Sequence, residues 1–459
     1  MVRDMTTGSS AKKLILFSIP LLIGQVFQQF YNMVDSIVVG QYVGKEAFAA
    51  VGSTGSITFF VLGLVFGACS GFAIPVAQDF GAGDVKGVRR CVANIIYIGV
   101  TFAAVMTLIT APLTTQILEL MGTKPELMED AYDYLFWIFV GLAAQMMYNL
   151  LAGILRSLGD SRTPLVFLIL SSLLNVALDI LFVRNFGMGV KGASIATVLA
   201  QLVSGVCCLV YIAKKYPILH PTREDMRPDG ATIRRLLEIG LPMGLQFSVT
   251  AIGSIILQWA VNGLDLNVIA SVSAAGKVQN LVVSPMDAFG VTVATYAGQN
   301  YGAGEIGRVR RGIRQVYLIL LACSVVGLLI NATVSDKIAL LFIDASETEV
   351  IAQVRRILIC NGHFYPALAA VYVLRNALQG VGFSKAAMLA GLFELVARSA
   401  MGLLVVPALG FTAVCFSDCA AWGMATLILI PLYIVLMRKL DARVNVQPRG
   451  YAERVIRQC

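Results

Sequence analysis

Apolar residues run through this chain in stretches much longer than the buried face of a soluble helix requires. A bilayer core needs about 20 consecutive apolar residues, and a scan at that length finds twelve such segments. The first six cover roughly 12–40, 47–77, 91–118, 131–157, 163–184 and 190–213. The second six cover roughly 233–262, 268–298, 313–342, 352–380, 385–407 and 411–437. One polar linker of any length, 214–231, separates the two sets. The pattern predicts an all-α membrane protein: twelve transmembrane helices in two pseudo-symmetric six-helix bundles around a central cavity. Residues 1–213 would form the N-terminal bundle, 214–231 a cytoplasmic linker, 232–440 the C-terminal bundle and 441–459 a basic cytoplasmic tail.

The polar positions between spans set an orientation. With the N-terminus inside, about 26 basic residues fall on the inner side and about 7 on the outer side, the asymmetry expected when inner loops retain Lys and Arg. Lys86, Arg89 and Arg90, Arg308, Arg310 and Arg311 are all inner by this scheme. The outer loop 119–133 is acidic, with Glu119, Glu126, Glu129, Asp130 and Asp133. Both termini are therefore expected in the cytoplasm, with the protein in the plasma (inner) membrane.

Composition agrees with the spans. Of 459 residues, 58% are hydrophobic and 14% charged, against about a quarter charged in soluble domains. The net charge of +8 belongs to helix ends, so no nucleic-acid partner is expected. Lys12 and Lys13 precede an apolar run too long for a cleavable signal, and the run reads as the first span. Nine cysteines, most within apolar runs, read as packing residues, and two histidines offer no His-based metal site.

The two halves repeat. Gln78-Asp79-Phe80-Gly81-Ala82-Gly83-Asp84 with Val88-Arg89-Arg90 recurs as Gln299-Asn300-Tyr301-Gly302-Ala303-Gly304-Glu305 with Val309-Arg310-Arg311, an offset of 221 residues. Pro20 answers Pro242, and Gly159-Asp160-Ser161-Arg162 answers Gly382-Phe383-Ser384-Lys385. An even number of spans per unit relates the bundles by an axis near the membrane normal, which suits alternating access.

These residues resemble the multidrug and toxic compound extrusion (MATE) transporters across about residues 10–440. The resemblance is carried by Pro20-Leu21-Leu22, Gln28-Gln29-Phe30-Tyr31-Asn32-Met33-Val34-Asp35, the repeated Gly-Ala-Gly loop, the Arg156–Gly159–Asp160 turn, and Asn175 with Asp179. It implies secondary antiport: export of organic cations and amphipathic drugs, driven by inward protons or sodium, with no other cofactor. The expected partners are the bilayer and small organic cations or drugs, with a monomeric assembly and no enzymatic activity.

Ionisable groups inside spans mark functional sites. In the first half these are Asp35 and Asp179, with no interior Lys or Arg near either in sequence. Asn175 lies four residues before Asp179 on one helix face, and Thr197 sits at a similar depth on span six. Such carboxylates can take up a proton or bind a cation through oxygen, so Asp35 and Asp179 would be metal ligands if coupling uses sodium. Positions matching these in MATE proteins form the cation site, and Asn149 on span four is a further candidate. Pro20, about four turns from Asp35, is a candidate hinge.

The second half mixes its interior charges: Lys277, Asp287, Glu394, Arg398 and Asp418. Glu394 precedes Arg398 by four residues, the favourable order for a helical ion pair. These groups read either as a structural ion-pair network or as contacts for a cationic substrate. Gln246, Gln258 and Asn262 are candidate cavity-lining groups, and Met146, Met147, Tyr148, Phe27 and Phe30 suit a tolerant drug surface. The alternatives are a flippase for a lipid-linked precursor, which would need several inward basic residues, a membrane-embedded transferase, and a channel.

Overall fold

Long apolar stretches become long helices here because lipid leaves the backbone no partner but itself. The structure is a computed structural model and describes residues 4–340 and 345–446. Residues 447–459 of the basic tail and 341–342 at the end of the ninth expected span lie outside the described residues.

The first half comprises α1 (Ser10–Tyr42), α2 (Lys45–Ser53), α3 (Gly55–Gly81), α4 (Val85–Thr110), α5 (Thr114–Leu120), α6 (Met128–Val140), α7 (Leu142–Ser157), α8 (Arg162–Asp179) and α9 (Gly189–Lys215). The second comprises α10 (Gly230–Asn262), α11 (Leu266–Gly302), α12 (Ile306–Thr333), α13 (Ser335–Ala339), α14 (Thr348–Gly380), α15 (Ser384–Ala400), α16 (Val406–Leu409) and α17 (Phe411–Val446). Among the described residues, eleven helices are long and apolar enough to span a bilayer, counting α15 with its continuation through α16, and the pair α6–α7, bent by 48°, supplies a twelfth.

Several expected boundaries change. The span at 47–77 is interrupted at Thr54, between α2 and α3. The span at 131–157 bends at Gly141, where an added Cβ would stand 2.1 Å from Val198. The span at 91–118 starts six residues early, at Val85, and ends at Thr110. Asp84 explains the early start: its carboxylate accepts the Gly87 N–H at 2.9 Å and caps α4. The charged turn with Lys86, Arg89 and Arg90 is thereby helical although it is not apolar.

The chain divides into two compact units, one built on Ile19–Gly244 and the other on Met5–Ser18 with Leu245 onward. In the first, Phe72, Ile95, Leu118, Leu135, Phe139, Leu142 and Leu155 form a continuous buried cluster. Between membrane helices the drive is close packing rather than exclusion of water. Gly71 illustrates it: an added Cβ would meet the Gly240 Cα at 2.5 Å, so α3 and α10 touch backbone to backbone. In the second, Val371, Leu378, Ala387, Ala390, Ala425 and Leu429 join α14, α15 and α17. Val100, Leu108, Leu173, Leu404 and Leu427 are each more than 60% exposed; so much exposed apolar surface on both units is suited to lipid and not to water.

The sequence repeat is also a conformational repeat. Gly83 and Gly304 adopt φ of 74° and 76°, which L side chains rarely take. Asp84 N–H donates to Asp79 O at 3.0 Å, and Glu305 N–H to Asn300 O at 2.8 Å. α8 and α15 each run into a π-helical turn, Ile180–Asn185 and Met401–Val405.

Candidate coupling site

Four of the residues expected to form the first-half site converge. Asp35, from α1, is 8% exposed, and Asp179, the last residue of α8, is fully buried. Their carboxyl groups adjoin one another. Asn175 Nδ2 donates to Thr197 Oγ1 on α9 at 3.2 Å and lies 3.5 Å from Asp179 Oδ1. The four-residue spacing on α8 brings Asn175 and Asp179 onto one face, and the packing of α8 on α9 brings Thr197 to them.

Asp35 Oδ1, Asn175 Oδ1 and Asp179 Oδ2 are all buried with no donor. Among the described residues, neither carboxylate has a Lys or Arg partner within ion-pair distance. Buried acceptors without donors are costly, and two adjoining carboxylates cannot both stay ionised without a proton or cation between them. The chemistry of the donor set, carboxylate, amide and hydroxyl oxygen, fits either a proton or a hard monovalent cation.

Sequence reasoning missed two tyrosines. Tyr31 and Tyr134 lie within electrostatic reach of both carboxylates. Tyr31 precedes Asp35 by four residues, a readable one-face signal; Tyr134, on α6, had none. Asn149 donates its amide to the Gln145 carbonyl one turn back, at 2.7 Å, and no described contact joins it to the acid pair.

The second half needs a correction. Glu394 and Arg398 do not pair with each other. Arg375, on α14, donates to Glu394 Oε1 at 3.4 Å, and Arg398 donates to Asp418 Oδ1, on α17, at 3.0 Å. A one-turn pair on a helix surface contributes only about 0.2–0.5 kcal/mol, too little to outweigh partners from neighbouring helices in a buried setting. Arg398 also lies 3.4 Å from Ser254 Oγ on α10. Gln246 is buried and accepts from Gln379 at 2.7 Å, whereas Gln258 donates to Asn262 at 2.8 Å, with both toward the surface. Asp287 lies near Tyr372, and Lys277 is exposed on the same helix, α11. Of the apolar candidates, Met146 and Tyr148 are buried, with the Tyr148 hydroxyl donating to the Pro164 carbonyl at 3.0 Å, while Phe27 and Phe30 are exposed.

The repeat relates the two sites. The offset of 223 that matches Gly159 with Gly382 also matches Asn175 with Arg398; the offset of 221 that matches Gln78 with Gln299 also matches Thr197 with Asp418. The Asn175–Thr197 hydrogen bond and the Arg398–Asp418 ion pair thus occupy corresponding places.

A two-unit helical fold with twelve spans and a buried polar centre of this kind defines a polytopic membrane transporter. The MatE family profile matches residues 20–181 and 242–404, and the chain belongs to this family, the MATE multidrug efflux transporters. It is 27% identical over 83% of its length to the probable multidrug resistance protein YpnP of Bacillus subtilis (strain 168), covering 84% of that protein. It is 28% identical over 89% of its length to the multidrug resistance protein PmpM of Pseudomonas aeruginosa, covering 86% of it. Its fold matches the outward-facing conformation of a multidrug resistance MATE family transporter of the MOP superfamily with a TM-score of 0.88, at 22% identity, over 94% of this chain and 97% of that one.

Proposed function

We propose that this protein is a plasma-membrane antiporter that exports cationic or amphipathic drugs, driven by inward flow of protons or sodium, with both termini in the cytoplasm. The observation that carries this reading is the buried Asp35–Asp179 pair. Three donor-free oxygens gather there, and among the described residues no basic side chain neutralises them. Such a pair changes charge when a proton or cation arrives. A site whose charge follows the ion supply can bias two conformations by the difference in ion affinity between them. Sodium, if it is the coupling ion, would be held by Asp35, Asp179, Asn175 and Thr197. The basic-inside pattern supports the orientation, and the multidrug resistance relatives favour drug export over precursor flipping.

Pro20 serves as the hinge in this reading. It lies inside α1, and the division between the two units falls at Ser18–Ile19, two residues before it. Pro242 lies just before the second crossing, at Gly244–Leu245. A proline leaves its helix short of one backbone hydrogen bond and eases bending there.

The test is accumulation of a fluorescent organic cation in inverted vesicles under separately imposed proton and sodium gradients. Asp35→Asn is expected to abolish accumulation under whichever gradient drives the wild type, while the purified variant still binds the dye. Full accumulation by Asp35→Asn rejects the assignment. Pro20→Ala is expected to slow turnover, and an unchanged rate removes the hinge.

A further inference from the structure

The repeat exposes a face in the second unit that the first unit covers. On α12, Arg311, Arg314, Leu318, Ala322, Val325 and Leu329 follow one another at three- and four-residue steps and so form one stripe. All six are exposed, and Leu318, Val325 and Leu329 are each more than half exposed. Arg314 falls inside the ninth expected span, eight residues or about 12 Å along α12 from Ile306. The other arginines of this turn are engaged. Arg308 donates to Asn300 and to the carbonyls of Met5, Thr7 and Gly8. Arg310 pairs with Asp441 on α17 and donates to the Met437 carbonyl at 3.2 Å. Among the described residues, no carboxylate lies within ion-pair distance of Arg311 or Arg314; Glu305 precedes Arg311 by six residues, and Asp441 is already on Arg310. Arg438 and Lys439, exposed where they follow Met437, add positive charge at this end of the unit.

The offset of 221 puts Arg90, Ala93 and Tyr97 at the corresponding positions of α4. There the linker closes the face. The Tyr97 hydroxyl donates to the Met226 carbonyl at 2.7 Å, and the Asp229 N–H donates to Asn94 Oδ1 at 3.1 Å. Asp225 and Asp229 lie within electrostatic reach of Arg90. In the second unit the segment that follows the last helix is 447–459, with Arg449, Arg454 and Arg457 against one acidic side chain, Glu453. A basic segment does not complement a basic face.

We propose that this face of α12 binds an anionic phospholipid, with its phosphate on Arg311 and Arg314 and an acyl chain along Leu318, Ala322 and Val325. Guanidinium groups donate in a planar fork that fits phosphate oxygens. Two free arginines heading an apolar stripe match both parts of such a lipid, the charged head and the hydrocarbon tail. From Arg314 to Val325 the helix rises about 16 Å, close to half of a hydrocarbon core of about 30 Å, which is the depth of one leaflet. A zwitterionic lipid carries its own cation beside the phosphate and gains less from the arginine pair. The basic-inside pattern assigns this end of α12 to the cytoplasmic leaflet. The inference goes beyond the export reading and depends on neither the coupling ion nor the exported solute.

The test titrates purified full-length protein in detergent with dioleoyl phosphatidylglycerol or dioleoyl phosphatidylcholine, counting bound lipids by native mass spectrometry. The wild type is expected to bind its first phosphatidylglycerol about thirtyfold more tightly than phosphatidylcholine, about fivefold for each of two arginines near a lipid head. Arg311→Gln with Arg314→Gln should remove that preference. Lys214→Gln with Lys215→Gln, which removes the same charge from exposed positions at the end of α9, should keep it. Equal wild-type affinities for the two lipids overturn the site without any variant. An equal loss in the lysine pair also overturns it, because general surface charge would then be the cause. Glycerol phosphate, the head without chains, should not displace the lipid; displacement would reject the role of the apolar stripe and with it the site. A photo-crosslinker placed at Leu318 in native membranes should label phospholipid. A product joining that position to 447–459, or to a second copy of the chain, would make that segment or copy the occupant and overturn the proposal.

Discussion

The two halves of this transporter share a fold and a repeated loop, yet they treat buried charge in opposite ways. The first half holds two acids together without a basic partner, so its charge depends on what binds. The second half fills a corresponding place with Arg398 and Asp418 and adds Arg375 and Glu394, so each charge already has a counter-charge. A repeat supplies two equivalent positions; the side chains there decide which responds to ions. Removing a charge should therefore cost stability in the second half and none in the first.

The largest expected effect tests that asymmetry. Glu394→Gln leaves Arg375 buried without its partner and is expected to cost about 3 kcal/mol, the lower end for breaking a buried pair. Asp35→Asn removes a buried acid that has no basic partner and is expected to cost no stability. Thermal unfolding in detergent, monitored by tryptophan fluorescence, compares the two. Equal destabilisation would break the distinction between the halves.

A smaller effect is expected from packing. The first half must hold two acids in register, and Gly71 against Gly240 is one of the contacts that fix its helices. Gly71→Ala drives a methyl into backbone and is expected to destabilise by about 1–3 kcal/mol, seen as a lower unfolding midpoint. An unchanged midpoint would show that α10 is not held closely at this point.

The smallest effect concerns the turn that positions α8. Asp160 accepts the Arg162 and Thr163 N–H groups at 2.9 and 3.1 Å, the Thr163 hydroxyl at 2.7 Å and the Tyr216 hydroxyl. Burial raises its pKa, but the hydrogen bonds from Tyr216 and Thr163 outweigh burial and hold it below the ordinary carboxylate value. A depressed folded value means that the stabilisation is complete above about pH 4, the unfolded value, and is lost as pH falls through the folded one. Asp160→Ala is expected to cost about 1 kcal/mol at neutral pH. That difference from wild type should shrink on acidification, and a difference constant with pH would exclude the carboxylate as its source. The corresponding residue in the second half is Phe383, packed on apolar neighbours, so no matching pH dependence is expected there.

Much of this was legible in the sequence, because lipid imposes length and polarity on each span and leaves few buried acids to choose among. Asp35, Asp179 and Asn175 stood out as polar groups in apolar runs, and one-turn spacing placed Asn175 beside Asp179. The pairing of Glu394 was not legible. Local spacing favoured Arg398, whereas the partner came from a neighbouring helix at Arg375, and no one-dimensional pattern encodes which helices adjoin. Tyr134 was hidden for the same reason. The break at Thr54 and the bend at Gly141 were missed because hydropathy continues across both, although the helices do not.

The central claim is that the Asp35–Asp179 pair holds a coupling ion whose affinity depends on the bound drug. It is tested most directly by titrating purified protein with an organic cation in weakly buffered solution while recording both proton release and displacement of bound radiosodium. The account predicts release of one of these ions on drug binding in the wild type and none from Asp35→Asn or Asp179→Asn. Saturable drug binding by the wild type with neither ion released, or the same release from both variants, would contradict it.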